Sequence, residues 1–400
     1  MTPSDTAVGA AVAAVVDPDL RRAVGELGMV RSTTVSGRSA SVVLAVPVAA
    51  WPPTRTLVAA LHETLATHGV RADVEVVTMT DEERAALHRR LAVAPDATAG
   101  AATAGAAVEA PAAPVHAHRP PGAAPGPLGH EEGRPNRFMV PGSKTRVVGI
   151  SSGKGGVGKS SVTVNLALSL AAAGHDVGVL DADVYGFSVP KMLGVRRGPV
   201  AIDELLVPPV VHGVRCLSMG FFVPDEQPVI WRGPMLHKAL EQFLVDAYWG
   251  EPDFLLIDMP PGTGDVALSL GQYLPRTEVL VVTTPQPAAQ RVAQRSAYAA
   301  RQLSLPVRGV IENMSWFTGD DGTRYELFGA GGGEALAEAL GVPVLGRIPF
   351  VPALRQGGDE GRPVALAEPD GDAAAAFEAL AGRVVGLGPA RIYRRELSVR

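Results

Sequence analysis

The alternation of apolar and polar residues divides the chain into two patterned regions. Residues 1–92 contain two alternating runs that meet at Gly37, a run with helical spacing that ends at Gly69, a third alternating run and a charged helical run. Alternation with period two is typical of half-buried strands, and apolar residues three or four positions apart indicate a helix. This region is therefore predicted to be a small α/β unit.

The region from residue 143 to residue 390 has a different pattern, in which short apolar runs alternate with helical stretches. The runs predicted to be strands are TRVVGIS, DVGVLDAD, VRCLSMG, DFLLIDMP, EVLVVTTP, VRGVIENM and VPVLGRIP. Apolar strands separated by helices are typical of a mostly parallel sheet with helices on both faces. Ligands bind beyond the carboxyl ends of such strands, so polar motifs at those ends are candidates for a site.

Residues 93–142 lack either pattern because they consist largely of Ala, Pro and Gly. With almost no large apolar side chain to bury, they are predicted to be a mobile linker between two domains. Their three histidines, His116, His118 and His130, are predicted to be solvated residues of this tether rather than a metal site, because nothing fixes their geometry. Residues 391–400 are predicted to be a short tail.

Composition excludes several classes of function. The net charge of −5 is unlike the basic footprint of nucleic-acid-binding proteins. The amino terminus has no basic segment before its apolar run, which Asp17 and Pro18 interrupt, and no apolar run is long enough to cross a membrane. The single cysteine, Cys216, precludes an internal disulfide and fits a reducing compartment. We therefore expect a cytoplasmic protein that binds neither nucleic acid nor membrane.

The most specific motif follows TRVVGIS, where GKGGVGKSS occupies Gly153–Ser161. The spacing G-x-x-x-x-G-K-S between a strand and a helix is that of a phosphate-binding loop, whose main-chain N–H groups surround the β-phosphate. Lys159 is expected to reach the β- and γ-phosphates, and the Ser160 hydroxyl is expected to bind Mg²⁺. The predicted nucleotide-binding residues of this loop are Gly153, Lys154, Gly155, Gly156, Val157, Gly158, Lys159, Ser160 and Ser161.

Two more strand ends carry carboxylates. Asp258 ends DFLLID and is expected to hold Mg²⁺ through water, while a main-chain N–H near Gly262 is expected to sense the γ-phosphate. Asp181 and Asp183 end DVGVLDAD. We expect Asp181 to support the Mg²⁺ shell and Asp183 to orient the attacking water, with a solvated turn as the alternative for this pair.

Asn313 ends a later strand, in the sequence VIENMS. Its amide can pair a donor and an acceptor with the edge of a purine ring, although asparagine at a strand end also commonly makes a turn. The sequence therefore predicts that Asn313 contacts the adenine of ATP.

Four segments together, GKGGVGKSS, DADVYG, DMPPGTGD and IENMS, resemble the Mrp/NBP35 iron–sulfur carrier ATPases of the deviant Walker A class, which includes MinD, ParA and the nitrogenase iron protein. VPKMLG (Val189–Gly194) and WRGPM (Trp231–Met235) are also similar to this family. Residues 1–92, with VVDPDLRRAVGELGMV, resemble the MIP18-like (DUF59) domain often fused to bacterial Mrp proteins. The resemblance implies a P-loop ATPase that acts in iron–sulfur cluster assembly or transfer.

The resemblance also implies a role for Lys154. In deviant Walker A proteins the lysine after the first glycine reaches across a dimer interface to the partner's nucleotide. A cation delivered in this way stabilises charge only when two subunits close together. We therefore expect an ATP-dependent homodimer in which Lys154, Lys159 and Asp183 are catalytic; the alternative is that Lys154 lies only on the outer edge of the loop.

The chain departs from the family in its cysteines. Members typically carry a C-x-x-C pair shortly after ENMS, and the pairs of two subunits bridge a [4Fe–4S] cluster; here WFTGDDGTRYELFGAGGGEAL contains no cysteine. VPVAAWPP likewise lacks the cysteine that many MIP18-like domains carry. Asp320 and Asp321 stand where the pair would be, but hard carboxylates are poor ligands for iron–sulfur clusters, and TGDDGT is predicted to be a hairpin turn.

Two functional hypotheses follow. Cys216 lies in the apolar run VRCLSMG and is predicted to be a core residue, so the chain lacks the two thiolates that a bridged cluster needs from each subunit. In the first hypothesis, the protein is an ATPase serving iron–sulfur apoproteins or assembly factors, with Cys216, partner cysteines or another set as cluster ligands. In the second, it is a MinD/ParA-like nucleotide-switched regulator that carries no cluster.

Overall fold

The computed structural model describes residues 5–92, 136–140, 142–223, 233–262 and 265–390. The predictions made for the three linker histidines, for Trp231 and for the tail fall outside these residues. The chain forms two compact units, one with residues 5–92 and 202–205 and the other with the remaining described residues.

The first unit contains a three-stranded sheet in which β1 and β2 are antiparallel and β2 and β3 are parallel. Its strands are β1 (Val30–Ser36), β2 (Ser39–Val46) and β3 (Arg71–Thr78), and its helices are α1 (Asp5–Ala13), α2 (Val24–Leu27), α3 (Thr54–Thr67) and α4 (Asp81–Ala92). Leu57, Leu61 and Leu65 are buried, because a spacing of four places them on one face of α3. The small α/β unit predicted from the sequence is confirmed.

A buried carboxylate joins two loops of this unit. Asp17 is fully buried and accepts main-chain N–H bonds from Asp19 and Leu20, each at 2.9 Å. Its other oxygen accepts a bond from Trp51 Nε1 at 2.8 Å. Burial raises the pKa of Asp17 above its ordinary value, and the bonds from Leu20 and Trp51 partly offset that rise.

The second unit contains an eight-stranded sheet in the order β15-β12-β11-β4-β10-β5-β9-β8. Its strands are β4 (Arg146–Ser152), β5 (Val177–Asp181), β8 (Val210–Val211), β9 (Val214–Ser218), β10 (Phe254–Asp258), β11 (Glu278–Thr283), β12 (Val307–Glu312) and β15 (Val344–Arg347). Only the β8–β9 pair of this sheet is antiparallel in the described structure. Two smaller sheets pair β6 (Val200–Ile202) with β7 (Leu205–Val207), and β13 (Phe317–Thr318) with β14 (Arg324–Tyr325).

Helices cover both faces of the large sheet. They are α5 (Lys159–Ala172), α6 (Val189–Leu193), α7 (Gly233–Val245), α8 (Asp265–Tyr273), α9 (Pro287–Gln302), α10 (Gly332–Leu340), α11 (Pro352–Glu360), α12 (Val364–Ala367) and α13 (Asp372–Gly386). In β10, Leu256 packs into the cluster that includes α5 and α13, while its neighbours Leu255 and Ile257 pack into the cluster with α7 and α8. The predicted fold class is confirmed.

The topology brings three loops together at one edge of the sheet. Strand β10 lies between β4 and β5, with Asp258 opposite Ile150 on one side and opposite Asp181 on the other. Because these strands are parallel, the loops that follow them start side by side. Within the described ranges, no helix is long and apolar enough to cross a bilayer.

Candidate functional site

The loop between β4 and α5 has a backbone that only glycine tolerates at several positions. Gly156 and Gly158 have φ angles of +79° and +81°, which side chains other than glycine rarely adopt. A Cβ atom on Gly153 would lie 2.2 Å from the main-chain nitrogen of Ala293 in α9. Gly158 is the N-cap of α5, so the free N–H groups of the first helical turn, from Lys159 onward, face the loop. This is the geometry of an anion cradle.

Three residues predicted to handle Mg²⁺ and phosphate meet beside this cradle. The Lys159 ammonium donates to Asp258 Oδ2 at 2.6 Å, and the Ser160 hydroxyl donates to the same oxygen at 2.6 Å. Asp183 Oδ2 lies 3.8 Å from the Lys159 nitrogen. Lys159 therefore bridges carboxylates that come from two neighbouring strand ends.

Asp181 organises the loop that carries Asp183. It is fully buried and accepts bonds from four protein donors, which are the main-chain N–H groups of Asp183, Ser188 and Val189 and the hydroxyl of Ser218. Burial, together with the nearby charge of Asp258, raises the pKa of Asp181 to about 7. These contacts give Asp181 a structural task in the loop, and its support of a Mg²⁺ shell stays a prediction.

Asp183 uses its two oxygens differently. Its Oδ1 accepts the main-chain N–H of Gly186 at 3.0 Å, whereas its Oδ2 is the oxygen near Lys159. A carboxylate fixed through one oxygen can orient a water molecule with the other. This placement is compatible with the predicted role of Asp183, which stays a prediction.

The loop after β10 is tied to its neighbours. Gly262 has a φ of +92°, and its N–H donates to the Ser152 carbonyl at 2.8 Å. Its own carbonyl accepts the Ser296 hydroxyl at 3.1 Å. Because the Gly262 N–H is engaged in this structure, a γ-phosphate contact by this particular N–H requires it to change partner.

Asn313 lies directly behind the phosphate loop. Its Nδ2 donates to the Val157 carbonyl at 2.9 Å, and the side chain is only 1 % exposed. Its Oδ1 is buried and has no hydrogen-bond partner among the described residues. An acceptor without a partner is costly to bury, so this oxygen suits a donor such as the exocyclic amine of adenine.

Lys154 occupies the start of the loop. Its carbonyl accepts the Ser152 hydroxyl at 3.1 Å, and its side chain is partly exposed. In the part of the chain that the structure describes, its ammonium forms no ion pair. The cation is therefore not neutralised by the described residues of its own chain.

Cys216 and the segment TGDDGT both adopt the structures predicted for them. Cys216 is fully buried in β9, and burial raises the pKa of its thiol well above the ordinary value, so it stays a neutral core residue. The segment TGDDGT forms the predicted hairpin turn between β13 and β14. The Asp321 carboxylate accepts the N–H and the hydroxyl of Thr323, which lowers its pKa and commits it to the turn.

Sequence reasoning missed two buried contacts, one within the site and one beside it. The Thr163 hydroxyl donates to Asp258 Oδ1 at 2.7 Å, and Glu312 accepts the main-chain N–H of Gly333 at the start of α10. The position of Thr163 four residues after Lys159, on the same helix face, was a signal for its role. Glu312 stands beside Asn313 in the chain, but no local signal indicates its partner twenty-one residues later.

The residues of the site fit a magnesium nucleotide. Mg²⁺ is usually bound by one or two protein oxygens together with phosphates and water. Ser160 and Asp258 supply such oxygens, and no larger cluster of His, Cys, Asp or Glu ligands occurs among the described residues. The glycine loop supplies main-chain donors for phosphate, and the contact of Asn313 with a base stays a prediction. Fold and site together define the chain as a P-loop NTPase.

Comparison with known proteins identifies its family. The chain belongs to the ParA family, described as NUBPL iron-transfer P-loop NTPases, whose model matches residues 143–385. A relative from Mycobacterium leprae, named iron-sulfur cluster carrier protein, is 42% identical over 372 residues, which are 90% of this chain and 87% of the relative. A relative of the same name from Deinococcus radiodurans is 50% identical over 250 residues, 62% of this chain and 71% of the relative.

A solved structure agrees with this assignment. The nucleotide-binding protein from Archaeoglobus fulgidus, in complex with ADP and with cobalt, superposes with a TM-score of 0.51 at 34% identity. The match covers 58% of this chain and 93% of that protein. The family resemblance predicted from four short motifs is thus confirmed for residues 143–385.

Proposed function

We propose that this protein binds and hydrolyses MgATP and uses the cycle in iron–sulfur cluster assembly or transfer to apoproteins. The observation that carries the proposal is the meeting of Lys159, Ser160 and Asp258 beside the glycine loop. Family membership and the names of the relatives support the iron–sulfur role, and the ADP complex of the A. fulgidus protein supports an adenine nucleotide.

In this proposal the loop and helix α5 hold the phosphates through main-chain N–H groups. Lys159 leaves Asp258 to contact the β- and γ-phosphates, and Ser160 and Asp258 hold Mg²⁺, directly and through water. Bound Mg²⁺ supplies charge neutralisation between the phosphates. Asn313 keeps its bond to Val157 and offers its Oδ1 to the adenine.

Hydrolysis requires a second copy of the chain in this proposal. Asp183 orients the attacking water from the free side of its carboxylate. Lys154, which has no ionic partner among the described residues, reaches the nucleotide of the partner subunit. ATP then favours a closed homodimer, and its hydrolysis weakens that dimer.

The iron–sulfur cluster is the cargo of this cycle, and its ligands are proposed to come from the client or from an assembly factor. A four-thiolate cluster shared by two chains needs two cysteines from each. This sequence has one, Cys216, whose buried neutral thiol does not suit a ligand. The absence of a second thiol also fits the second hypothesis, a nucleotide-switched regulator that holds no cluster.

The domain assignment belongs to the same proposal. Residues 1–92 act as a MIP18-like domain, 93–142 as a linker, 143–390 as the ATPase domain and 391–400 as a tail. Cysteine usage supports work in the cytoplasm.

Anaerobic reconstitution separates the two hypotheses. The chain is incubated with iron and sulfide, with and without MgATP and an apoprotein that requires a [4Fe–4S] cluster, and iron is counted on each protein. The iron–sulfur proposal expects MgATP-dependent gain of iron by the apoprotein, and Cys216→Ala behaves like the wild type because the thiol is buried. ATP-dependent dimerisation with no effect on the apoprotein supports the regulator instead.

A further inference from the structure

Thr163 contacts the carboxylate that the proposed function assigns to Mg²⁺. The residue is fully buried one turn into α5, and its hydroxyl donates to Asp258 Oδ1 at 2.7 Å. The Lys159 carbonyl is a second acceptor, at 3.1 Å. A hydroxyl has one proton, and a charged acceptor at a shorter distance takes it in preference.

The two oxygens of Asp258 have different tasks. Oδ2 accepts both Lys159 and Ser160, the residues that have to turn to the nucleotide and the metal when these bind. Oδ1 accepts Thr163, which has no such second task. Thr163 is therefore the side-chain donor that remains on Asp258 when the other two leave.

We propose that Thr163 is a positioning residue, which holds the plane of the Asp258 carboxylate so that Oδ2 faces the cation. This inference rests on the proposed MgATP function. It gives Thr163 a role in that function that comparison of sequence motifs does not reveal. Without the hydroxyl, Oδ1 of a fully buried carboxylate has no side-chain donor in the described structure, and the group can turn this oxygen toward Lys159. Lys159 can then hold both oxygens of Asp258, so Mg²⁺ competes with it for the whole carboxylate rather than for Oδ2 alone.

Loss of the Thr163 hydroxyl should raise the Mg²⁺ concentration needed for nucleotide binding rather than weaken binding at every Mg²⁺ concentration. Thr163→Val has nearly the same shape and removes only the hydroxyl. We expect it to raise the Mg²⁺ concentration for half-maximal binding of a fluorescent ADP analogue about tenfold, equivalent to about 1.4 kcal/mol. Thr163→Ser keeps the hydroxyl and is expected to stay within about twofold of the wild type.

A buried threonine elsewhere provides the control. Thr277 is also fully buried, and its hydroxyl donates to the Leu274 carbonyl at 2.8 Å, just before β11 and away from the phosphate loop. Thr277→Val therefore removes a comparable hydroxyl without touching Asp258. Its Mg²⁺ half-saturation is expected to match that of the wild type.

The titration is run on the full chain at fixed ADP analogue with increasing Mg²⁺. An unchanged half-saturation in Thr163→Val, or an equal rise in Thr277→Val, overturns the positioning role. Should the valine variant not fold, Thr163→Ala must show the rise, and a half-saturation like that of Thr163→Ser overturns the inference. Failure of the wild type to bind the analogue at any Mg²⁺ concentration refutes the proposed nucleotide function itself.

Discussion

A side chain of even one carbon at Gly153 should disrupt the phosphate loop, because the main chain of helix α9 lies directly against this residue. In Gly153→Ala the new Cβ would stand 2.2 Å from the nitrogen of Ala293 and 2.3 Å from the carbonyl carbon of Val292. Ordinary contact begins at 3.4 Å, so the loop or helix α9 has to retreat by about 1.2 Å. Both obstacles are main-chain atoms, which cannot rotate away as a side chain can.

A displacement of this size should be visible in nucleotide binding. A misplacement of about 1 Å in a preorganised site can cost about 100-fold in reaction rate, and we expect a loss of similar size in binding. Overpacking costs about 1–3 kcal/mol of stability. We therefore expect Gly153→Ala to weaken binding of a fluorescent ADP analogue, in Mg²⁺, by roughly 100-fold. Thermal unfolding of the same samples reports the stability cost separately.

Gly155→Ala is the matched control in the same loop. A Cβ at Gly155 would meet no atom within 4 Å, and its φ is not in the left-handed region. This variant should bind the analogue within about twofold of the wild type, since it keeps the same N–H group. Equal losses in both variants, or near-normal binding by Gly153→Ala, would refute the steric argument.

Two further predictions concern the dimer and the first unit. Lys154→Ala should keep nucleotide binding but lower ATP hydrolysis by about 10³-fold. Mixing it with inactive Asp183→Asn should restore about a quarter of wild-type hydrolysis, because about half of the dimers are mixed and each mixed dimer contains one complete site. No recovery on mixing would contradict action in trans. Trp51→Phe removes a donor from buried Asp17, so the folded-state pKa of Asp17 should rise further. The variant should lose about 1–3 kcal/mol of stability when the Asp17 carboxylate is ionised, and this loss should shrink as pH falls through the raised pKa. Hydrogen exchange within residues 5–92 of the intact chain measures this loss. Trp249→Phe removes a bond to the neutral Phe243 carbonyl in the second unit, and hydrogen exchange within that unit should show a stability loss with no such pH dependence.

The sequence patterns predicted the sheet because its strands bury both faces. In β5, β10 and β11 every residue is buried, and such continuous apolar runs stand out from the polar helix surfaces around them. Helix α13 was not predicted, although Phe377 and Leu380 complete one face of the core. Its alanine-rich sequence resembles the linker in composition, but Phe377, Leu380 and Val384 recur at helical spacing, a signal that the prediction did not use.

The site residues were predictable as a set, but several of their contacts were not. Lys159 and Asp258 were predicted from local motifs, and their meeting follows from parallel neighbours in the sheet. The contact of Asn313 with Val157 joins residues 156 positions apart, which no local pattern encodes. For the same reason the sequence indicated a phosphate role for Gly153 but not its packing against α9.

The charges of the site explain why nucleotide and Mg²⁺ should be bound as one unit. Three carboxylates, those of Asp181, Asp183 and Asp258, stand around the ammonium of Lys159, which already lies within 3.8 Å of two of them. A nucleotide brings further negative charge into this group, and one ammonium cannot neutralise the phosphates while it still serves Asp258. Under the proposed function, Asp258 would bind a divalent cation in place of Lys159, which would leave the Lys159 ammonium free for the phosphates. In the proposed function, binding therefore exchanges the Lys159–Asp258 bond for a bond from Asp258 to the cation, and the orientation of Asp258 is expected to affect this exchange.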